Sequence, residues 1–199
     1  MAIHSGRHQL DQGSGRITLR TFRDGLAAQA GHDLTIEVAR WSGEIVLADD
    51  LIPQSLDVTA DLGSLVVKDG TGGLKPLTDR DKREIAVTAR KVLSTDRFPE
   101  VKFSATAFQP GPDTSDGAGL PDRAGTISGT LSLAGQSGPL QLQVRPDGGG
   151  RYQATATVRQ TAFGIKPYSG FLGALKVRDA VDVEVDVDLS EAQPQEPAA

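Results

Sequence analysis

The sequence predicts an all-β antiparallel domain that carries one amphipathic α-helix. Apolar and polar residues alternate along many short segments, turn-forming residues separate these segments, and a single segment has helical spacing. Alternation places successive side chains on opposite faces of a strand, so one face packs against a core while the other faces water. Eight to ten such segments are typical of an antiparallel sandwich or barrel.

Residues 181–189, VDVEVDVDL, show the clearest alternation, with five apolar residues on one face and four acids on the other. The acids could be imagined as a cation site, but neighbours on one face of a strand stand about 7 Å apart. We therefore interpret the acidic row as a solvated outer face. The same alternation predicts further strands in residues 17–19, 34–38, 44–47, 56–62, 65–67, 101–107, 127–133, 140–144 and 152–158.

One segment, residues 78–93, has helical rather than strand spacing of its apolar side chains, which include Ile85, Ala89 and Val92. Thr78 can cap the N-terminus of a helix, and the acids at positions 79 and 81 suit its first turn. We predict an amphipathic helix whose apolar face covers an opening that the strands leave, such as the mouth or flank of a barrel.

The 199 residues suit one domain, which we place at residues 16–189. Residues 1–15 and 190–199 are polar and lack periodicity, which predicts disordered tails. Residues 110–124 are rich in Pro, Gly and Asp, which predicts a long surface loop between two strands.

Composition excludes several classes of protein. A formal charge of −5 argues against non-specific binding to nucleic acid, and the absence of cysteine excludes disulfides and thiolate metal sites. No apolar run approaches the roughly 20 residues that a membrane-spanning helix needs. The first 15 residues lack the apolar segment of an export signal, so we expect a cytoplasmic monomer or homodimer without a cofactor.

Small residues recur at positions that the alternation directs inward. Eight antiparallel strands can close into a barrel that is either filled by side chains or holds one small ligand. Small inward residues would leave room for an apolar ligand, unless they pack against large residues across the barrel and leave no cavity. Both outcomes remain open from the sequence. The residues concerned are Ala60, Ala105, Ala107, Gly129, Ala154 and Ala156.

A series of short motifs carries a resemblance to a known family. They are GHDL at 31–34, WSG at 41–43, SLVVKDG at 64–70, GGLKPLTDRDK at 72–82, FPEVKFS at 98–104, GTLSLAG at 129–135 and TAFGI at 161–165. In this order and spacing the chain resembles the YceI-like family. The resemblance implies an eight-stranded antiparallel lipocalin-like barrel with one helix, and a ligand whose isoprenoid or acyl tail runs through the interior. It does not imply catalysis.

His32 and Asp33 are adjacent, and His32 is the only histidine between residues 16 and 189. A histidine held by a carboxylate could anchor a polar head group or act as a general base. Alternatively, His32 forms a structural hydrogen bond where its strand begins and Asp33 caps the turn. His4 and His8 lie in the predicted tail, so we expect no three-histidine metal site.

Several apolar residues, both aromatic and aliphatic, are candidates to line the interior and contact a ligand. For each of them the alternative role is ordinary packing in the core. Residues 70–75, GTGGLK, lack the spacing of a phosphate-binding loop and predict a glycine-rich turn, whose free amides could meet an anionic head group. Residues 166–173 predict an irregular loop at the barrel mouth. With His32 and Asp33, the candidate ligand-binding residues are Phe22, Trp41, Phe103, Ala105, Leu131, Ala156, Phe163, Tyr168 and Phe171.

These observations favour non-catalytic binding of an isoprenoid or another lipid-like amphiphile inside the barrel. Two alternatives remain: a small hydrolase or isomerase that uses His32 and Asp33 over the same cavity, and a filled barrel that acts through protein contacts alone. No metal or cofactor enters any of the three hypotheses.

Overall fold

A computed structural model describes residues 3–111 and 124–195. Most of the predicted loop at 110–124 lies outside the described residues. So do the last four residues of the predicted tail at 190–199. Within them the helix is α1 (Asp79–Val92). The strands are β1 (Gly6–Asp11), β2 (Gly15–Thr21), β3 (Arg23–Asp24), β4 (His32–Val38), β5 (Trp41–Leu47), β6 (Pro53–Asp61), β7 (Leu65–Gly72), β8 (Glu100–Pro110), β9 (Gly125–Leu133), β10 (Gln136–Gly148), β11 (Arg151–Arg159), β12 (Ser169–Gly170), β13 (Leu175–Val177), β14 (Ala180–Asp188) and β15 (Gln193–Gln195).

Twelve of these strands form one antiparallel sheet in the order β15-β1-β5-β6-β8-β9-β10-β11-β14-β2-β4-β7. The sheet curls into a half-barrel, and in the described part of the chain its edge strands β7 and β15 do not pair with each other. Strands β12, β13 and β3 form a separate small sheet. The all-β antiparallel class is confirmed, but the expected count of eight strands is wrong.

The two strands of the large sheet that the alternation does not predict, β1 and β15, come from the segments that the sequence marked as tails. All ten segments chosen for their alternation belong to the large sheet, and β1 and β15 complete it. Strand β1 pairs along its whole length with β5, and its residues His8 and Leu10 are buried. The prediction of a disordered tail at residues 1–15 therefore fails for β1, because its partner strand lies more than thirty residues away and supplies the hydrogen bonds.

One end of the half-barrel is tied together by two adjacent connections. The turn between β4 and β5 meets the turn between β6 and β7, where the Arg40 amide donates to the Ser64 hydroxyl at 2.9 Å. The Arg40 guanidinium also donates to the Asp61 carboxylate at 2.6 Å, and this hydrogen bond holds the pKa of Asp61 below its usual value. The two halves of the curled sheet therefore approach each other at this end.

Helix α1 covers the gap that remains between the two halves, as the sequence predicts. It runs beside edge strand β7, where the Lys82 ammonium donates to the Lys68 carbonyl at 2.8 Å. Its apolar residues Ile85, Ala89 and Val92 pack against the core. The helix is therefore part of the enclosure rather than an appendage.

The helix begins at a capping box. The Thr78 hydroxyl accepts from the Asp81 amide at 3.2 Å, and the Asp81 carboxylate accepts from the Thr78 amide at 2.9 Å. Hydrogen bonds from the Thr78 hydroxyl and amide lower the pKa of Asp81. Both halves of the motif satisfy amide groups that the first turn of a helix would otherwise leave without partners.

The acidic row of β14 lies on the outer face of the sheet, as interpreted from the sequence. Glu184 accepts from the Arg20 guanidinium at 3.0 Å, and Asp182 accepts from the Thr157 hydroxyl at 2.7 Å. In residues 3–111 and 124–195, no group of three or more His, Asp or Glu residues is arranged to hold a metal ion. No helix in the same residues is long and apolar enough to cross a bilayer.

We predict that Thr78→Ala lowers the free energy of unfolding by about 1 kcal/mol, because it removes the helix cap. Thr78→Ser keeps the hydroxyl and should remain within a few tenths of a kcal/mol of the wild type. Urea unfolding followed by circular dichroism measures both values. The difference should shrink as the pH falls through the lowered pKa of Asp81, because protonation weakens the same capping box in the wild type. Equal stabilities of the two variants at neutral pH would contradict the prediction.

Candidate functional site

The half-barrel and α1 enclose a cavity of about 940 Å³. This volume lies at the upper end of the range of roughly 300–1,000 Å³ that is usual for small-molecule sites. Nearly every strand of the large sheet contributes inward residues to the wall, and most of them are aliphatic. Strand β14 contributes four valines, at positions 181, 183, 185 and 187, and α1 contributes Ile85, Ala89 and Val92. The interior is therefore hollow and apolar.

Two of the six small residues marked in the sequence line this cavity, and four, among them Ala107 and Gly129, do not. Ala60 and Ala154 form part of its wall. Ala105 is buried and Ala156 is half-buried, but both lie outside the lining. Ala154 and Ala156 share one face of β11, where they pair with Val185 and Val183 respectively. Sharing an inward face is therefore not sufficient to reach the cavity.

The charged side chains of the wall are confined to one end, which we call the mouth. Strand β4 starts there with His32, while its last residue, Val38, lies toward the opposite end. The apolar end is closed by Ile3, Leu51 and Leu189 among others. The charged residues of the mouth are Arg23, Lys75, Asp81, Glu84 and Lys176.

His32 anchors the loop that precedes α1. Its Nε2 lies 2.8 Å from the Lys75 carbonyl oxygen, and because a carbonyl only accepts, Nε2 donates this hydrogen bond. Gly73 has a φ of +70°, and its Cα lies against the His32 ring so closely that a Cβ would overlap the imidazole. The glycine-rich segment predicted at 70–75 therefore continues β7 through Gly72 and then folds over His32 at the mouth.

Asp33 points away from His32, because successive residues of a strand face opposite sides of the sheet. Its carboxylate accepts from the Arg23 amide at 2.8 Å and lies 3.9 Å from the Arg23 guanidinium. That guanidinium also donates to the Gly31 carbonyl at 2.9 Å. Asp33 therefore fixes the Arg23 backbone, and the structure does not bring the two neighbouring side chains together as a dyad.

The other candidate residues divide into two groups. Trp41, Phe103 and Leu131 are buried and line the cavity, whereas Tyr168 and Phe171 line its mouth from the loop before β13. Ala105, Ala156, Phe22 and Phe163 do not contribute to the lining. The Phe22 ring lies 5.6 Å from the Arg178 guanidinium, and Phe163 is buried in a short 3₁₀ helix.

Sequence reasoning missed several residues of the mouth. Leu74 and Lys75 line it from the loop before α1, and Lys176 lines it from β13, which has only three residues. Leu77 packs against Gly70, which would have no room for a side chain there. The position of residues 70–77 in the sequence could have indicated them, because a glycine-rich turn directly before a capped helix must pass close to the helix N-terminus.

The fold and the motifs agree with a single family. A YceI-like domain model matches residues 9–189. The chain belongs to the YceI-like family. No curated protein sequence matches it significantly.

Solved structures share the fold of this YceI-like chain at low sequence identity. BcnA from Burkholderia cenocepacia has a TM-score of 0.59 at 12% identity, with 87% of this chain and 94% of that protein covered. A polyisoprenoid binding domain from Saccharophagus degradans has a TM-score of 0.53 at 14% identity, covering 92% and 97%. The YCEI protein of Campylobacter jejuni has a TM-score of 0.53 at 14% identity, covering 81% and 85%. These similarities show the fold.

The contact between Gly73 and His32 generates a prediction. Gly73→Ala should destabilise the protein more than Gly148→Ala, because Gly148 has a similar φ of +77° but no atom within 4 Å of an added Cβ. Gly148→Ala should cost roughly 1–2 kcal/mol for the left-handed backbone, and Gly73→Ala about 1 kcal/mol more for the lost His32 bond. Urea unfolding measures the costs, and the ¹⁵N shift of His32 Nε2 reports the bond. Equal losses of unfolding free energy in the two variants, with an unchanged ¹⁵N shift of His32 Nε2, would contradict the role assigned to Gly73.

The cavity wall generates a second prediction, for which β11 supplies its own control. Ala154→Phe places a ring in the cavity and should weaken uptake of a fluorescent long-chain fatty acid at least about tenfold, equivalent to about 1.4 kcal/mol. Thr155→Phe, on the exposed outer face of the same strand, should keep the affinity of the wild type. Fluorescence titration measures affinity, and thermal unfolding measures stability. Similar losses of affinity in both variants would contradict the mapped wall.

Proposed function

We propose that this YceI-like protein binds an isoprenoid or a comparable long-chain amphiphile in its half-barrel and does not transform it. The observation that carries the proposal is the polarity of the cavity: its wall is aliphatic and its charged residues lie at the mouth alone. An amphiphile has the same division between an apolar tail and a polar head. The apolar interior of the cavity therefore suits the tail of an amphiphile, and the charged mouth suits its head.

The tail would lie along the inward valines of β14. Residues 181–189 rise by about 3.3 Å each, so this wall extends about 26 Å from the mouth to the closed end. A tail bound there removes apolar surface from water on both partners, at roughly 25 cal/mol for each square ångström. An elongated apolar chain is the ligand shape that uses this wall most fully.

The head would lie among the charged residues at the mouth. Lys75 and Lys176 form no ion pair with another described residue, whereas Glu84 pairs with Arg80 at 2.8 Å and Asp81 is held in the capping box. Two unpaired ammonium groups favour a head group that carries oxygen acceptors. We expect the ligand to be an isoprenoid or acyl chain that ends in a hydroxyl, carbonyl, carboxylate or phosphate.

Two further observations support binding over catalysis. His32 uses Nε2 to hold the Lys75 carbonyl, and Asp33 faces the other side of β4, so the pair required by the hydrolase or isomerase alternative is not assembled. The structural similarity to a polyisoprenoid binding domain supports an isoprenoid as the ligand class, since the two chains share a fold over most of their lengths.

Native mass spectrometry of protein purified without detergent tests the proposal. We expect an adduct that survives gentle ionisation, is lost on unfolding and appears in an organic extract as one intact lipid. Incubation with that lipid should return it unchanged, and Ala154→Phe should reduce the adduct while Thr155→Phe retains it. A new product that forms in the wild type and is absent in His32→Ala would overturn the binding proposal. A protein that carries no adduct and takes up no long-chain probe would overturn it as well.

A further inference from the structure

Three segments form one continuous surface around the opening of the cavity. They are residues 22–31, 70–77 and 166–178, and we call them the mouth loops. The Ala27 amide donates to the Ala174 carbonyl at 2.8 Å, and the Arg178 amide donates to the Phe22 carbonyl at 2.8 Å. The Arg23 guanidinium reaches the Thr71 carbonyl at 3.4 Å, which joins the first segment to the second.

The mouth loops carry most of the exposed large apolar side chains. Leu26 and Leu172 are fully exposed, at 100% and 109%, and neither lines the cavity. Leu74 and Phe171 are 80% and 72% exposed, and both extend the apolar wall outward from the mouth. Among the described residues beyond the mouth loops, the exposed large apolar residues are Val66 and Val87, each less than half exposed. Exposed apolar residues concentrated in one place mark an interaction site.

The backbone at the tip of the third mouth loop is held in an unfavourable conformation. Phe171 and Leu172 have φ angles of +49° and +54°, in the left-handed region that side chains other than that of glycine disfavour. This conformation presents two large apolar side chains to solvent without burying them in the fold. Strained backbone of this kind clusters at binding sites, which supports a binding role for the tip of this loop.

The charge of the mouth loops is opposite to that of the whole protein. They contain Arg23, Lys75, Lys166, Lys176 and Arg178 against one acid, Asp24, and Asp33 beside them pairs with Arg23. The mouth loops therefore keep a positive excess, whereas the complete chain carries a formal charge of −5. Exposed leucine and phenylalanine side chains beside lysine and arginine are the composition of surfaces that bind at the interface of anionic membranes. An acidic protein partner would match the lysines and arginines, but it would not account for the fully exposed leucines at the tips of two loops.

We propose that the mouth loops dock on the surface of a bilayer that contains anionic phospholipids. Leu26 and Leu172 enter the boundary between head groups and acyl chains, and the lysines contact phosphates. The cavity then opens directly onto the bilayer, so that an amphiphile exchanges between the two without crossing water. Docking itself is independent of the proposed binding function, and only this exchange rests on it.

Co-sedimentation with vesicles tests the docking surface. One set of vesicles contains phosphatidylcholine alone, and the other contains equal parts of phosphatidylcholine and phosphatidylglycerol. We expect binding to the mixed vesicles that weakens as salt is raised, since screening reduces the attraction between surface charges. The double variant Leu26→Ser/Leu172→Ser should lower the bound fraction about tenfold, because it removes both inserting side chains. Val66→Ser, on the outer face of β7, is the matched control and should bind like the wild type.

Charge reversal tests the electrostatic half of the proposal. Lys166→Glu should weaken binding and reduce its dependence on salt, whereas Lys91→Glu, at the far end of α1, should leave both unchanged. Wild-type protein that stays in the supernatant with mixed vesicles would overturn the proposal. Binding of Leu26→Ser/Leu172→Ser at the wild-type level would also overturn it. A dimer in size-exclusion chromatography that this double variant dissociates, without vesicle binding, would assign the surface to a second copy of the chain instead.

A measurement without vesicles separates this proposal from the binding function. Leu26→Ser/Leu172→Ser should take up the fluorescent fatty acid like the wild type, because neither leucine lines the cavity. Ala154→Phe should do the reverse, losing the probe while it keeps its affinity for mixed vesicles. Loss of both properties in each variant would overturn the assignment of docking and ligand binding to separate residues.

Discussion

The packing of α1 across the open side of the curled sheet is the interaction on which the rest of the structure depends. An antiparallel sheet with unpaired edges exposes backbone groups along β7 and an apolar inner face beside them. The helix covers both. The Lys82 ammonium donates a hydrogen bond to the Lys68 carbonyl of β7, and Ile85, Ala89 and Val92 cover the apolar face. Without the helix the cavity would be an open groove, and its aliphatic wall would contact water.

The start of α1 connects this enclosure to the mouth. Residues 70–77 must leave the end of β7, pass over His32 and deliver Thr78 to the capping position. Gly73 permits the close approach to the imidazole, and the bond from His32 to Lys75 fixes the loop. The same few residues therefore set where the helix begins and how wide the cavity opens. His32 acts in this structure through the loop that it holds.

The mouth also unites the two proposals. The wall of the cavity becomes continuous with exposed Leu74 and Phe171, and these lead to the fully exposed Leu26 and Leu172. A protein that only needed to enclose a ligand would gain stability by burying such side chains or replacing them with polar ones. A protein that collects an amphiphile from a bilayer needs an apolar path between the two, and these residues supply one.

The sequence by itself determined the class of fold, ten strands of the large sheet, the helix with its cap, and the likeness to the YceI-like family. These features depend on alternation and on contacts between near neighbours such as Thr78 and Asp81, so local pattern is enough to predict them.

Only the tertiary structure decided the number of strands, the way the half-barrel is completed, and the residues that reach the cavity. Strand β1 has its partner in β5, and the His32 ring has its partner 43 residues away at Lys75, so neither pairing leaves a local signal. Ala154 and Ala156 have the same type, strand and face, yet only Ala154 lines the cavity. Which inward positions border the cavity depends on the curl of the sheet, because residues distant in the chain come into contact only when the sheet curls.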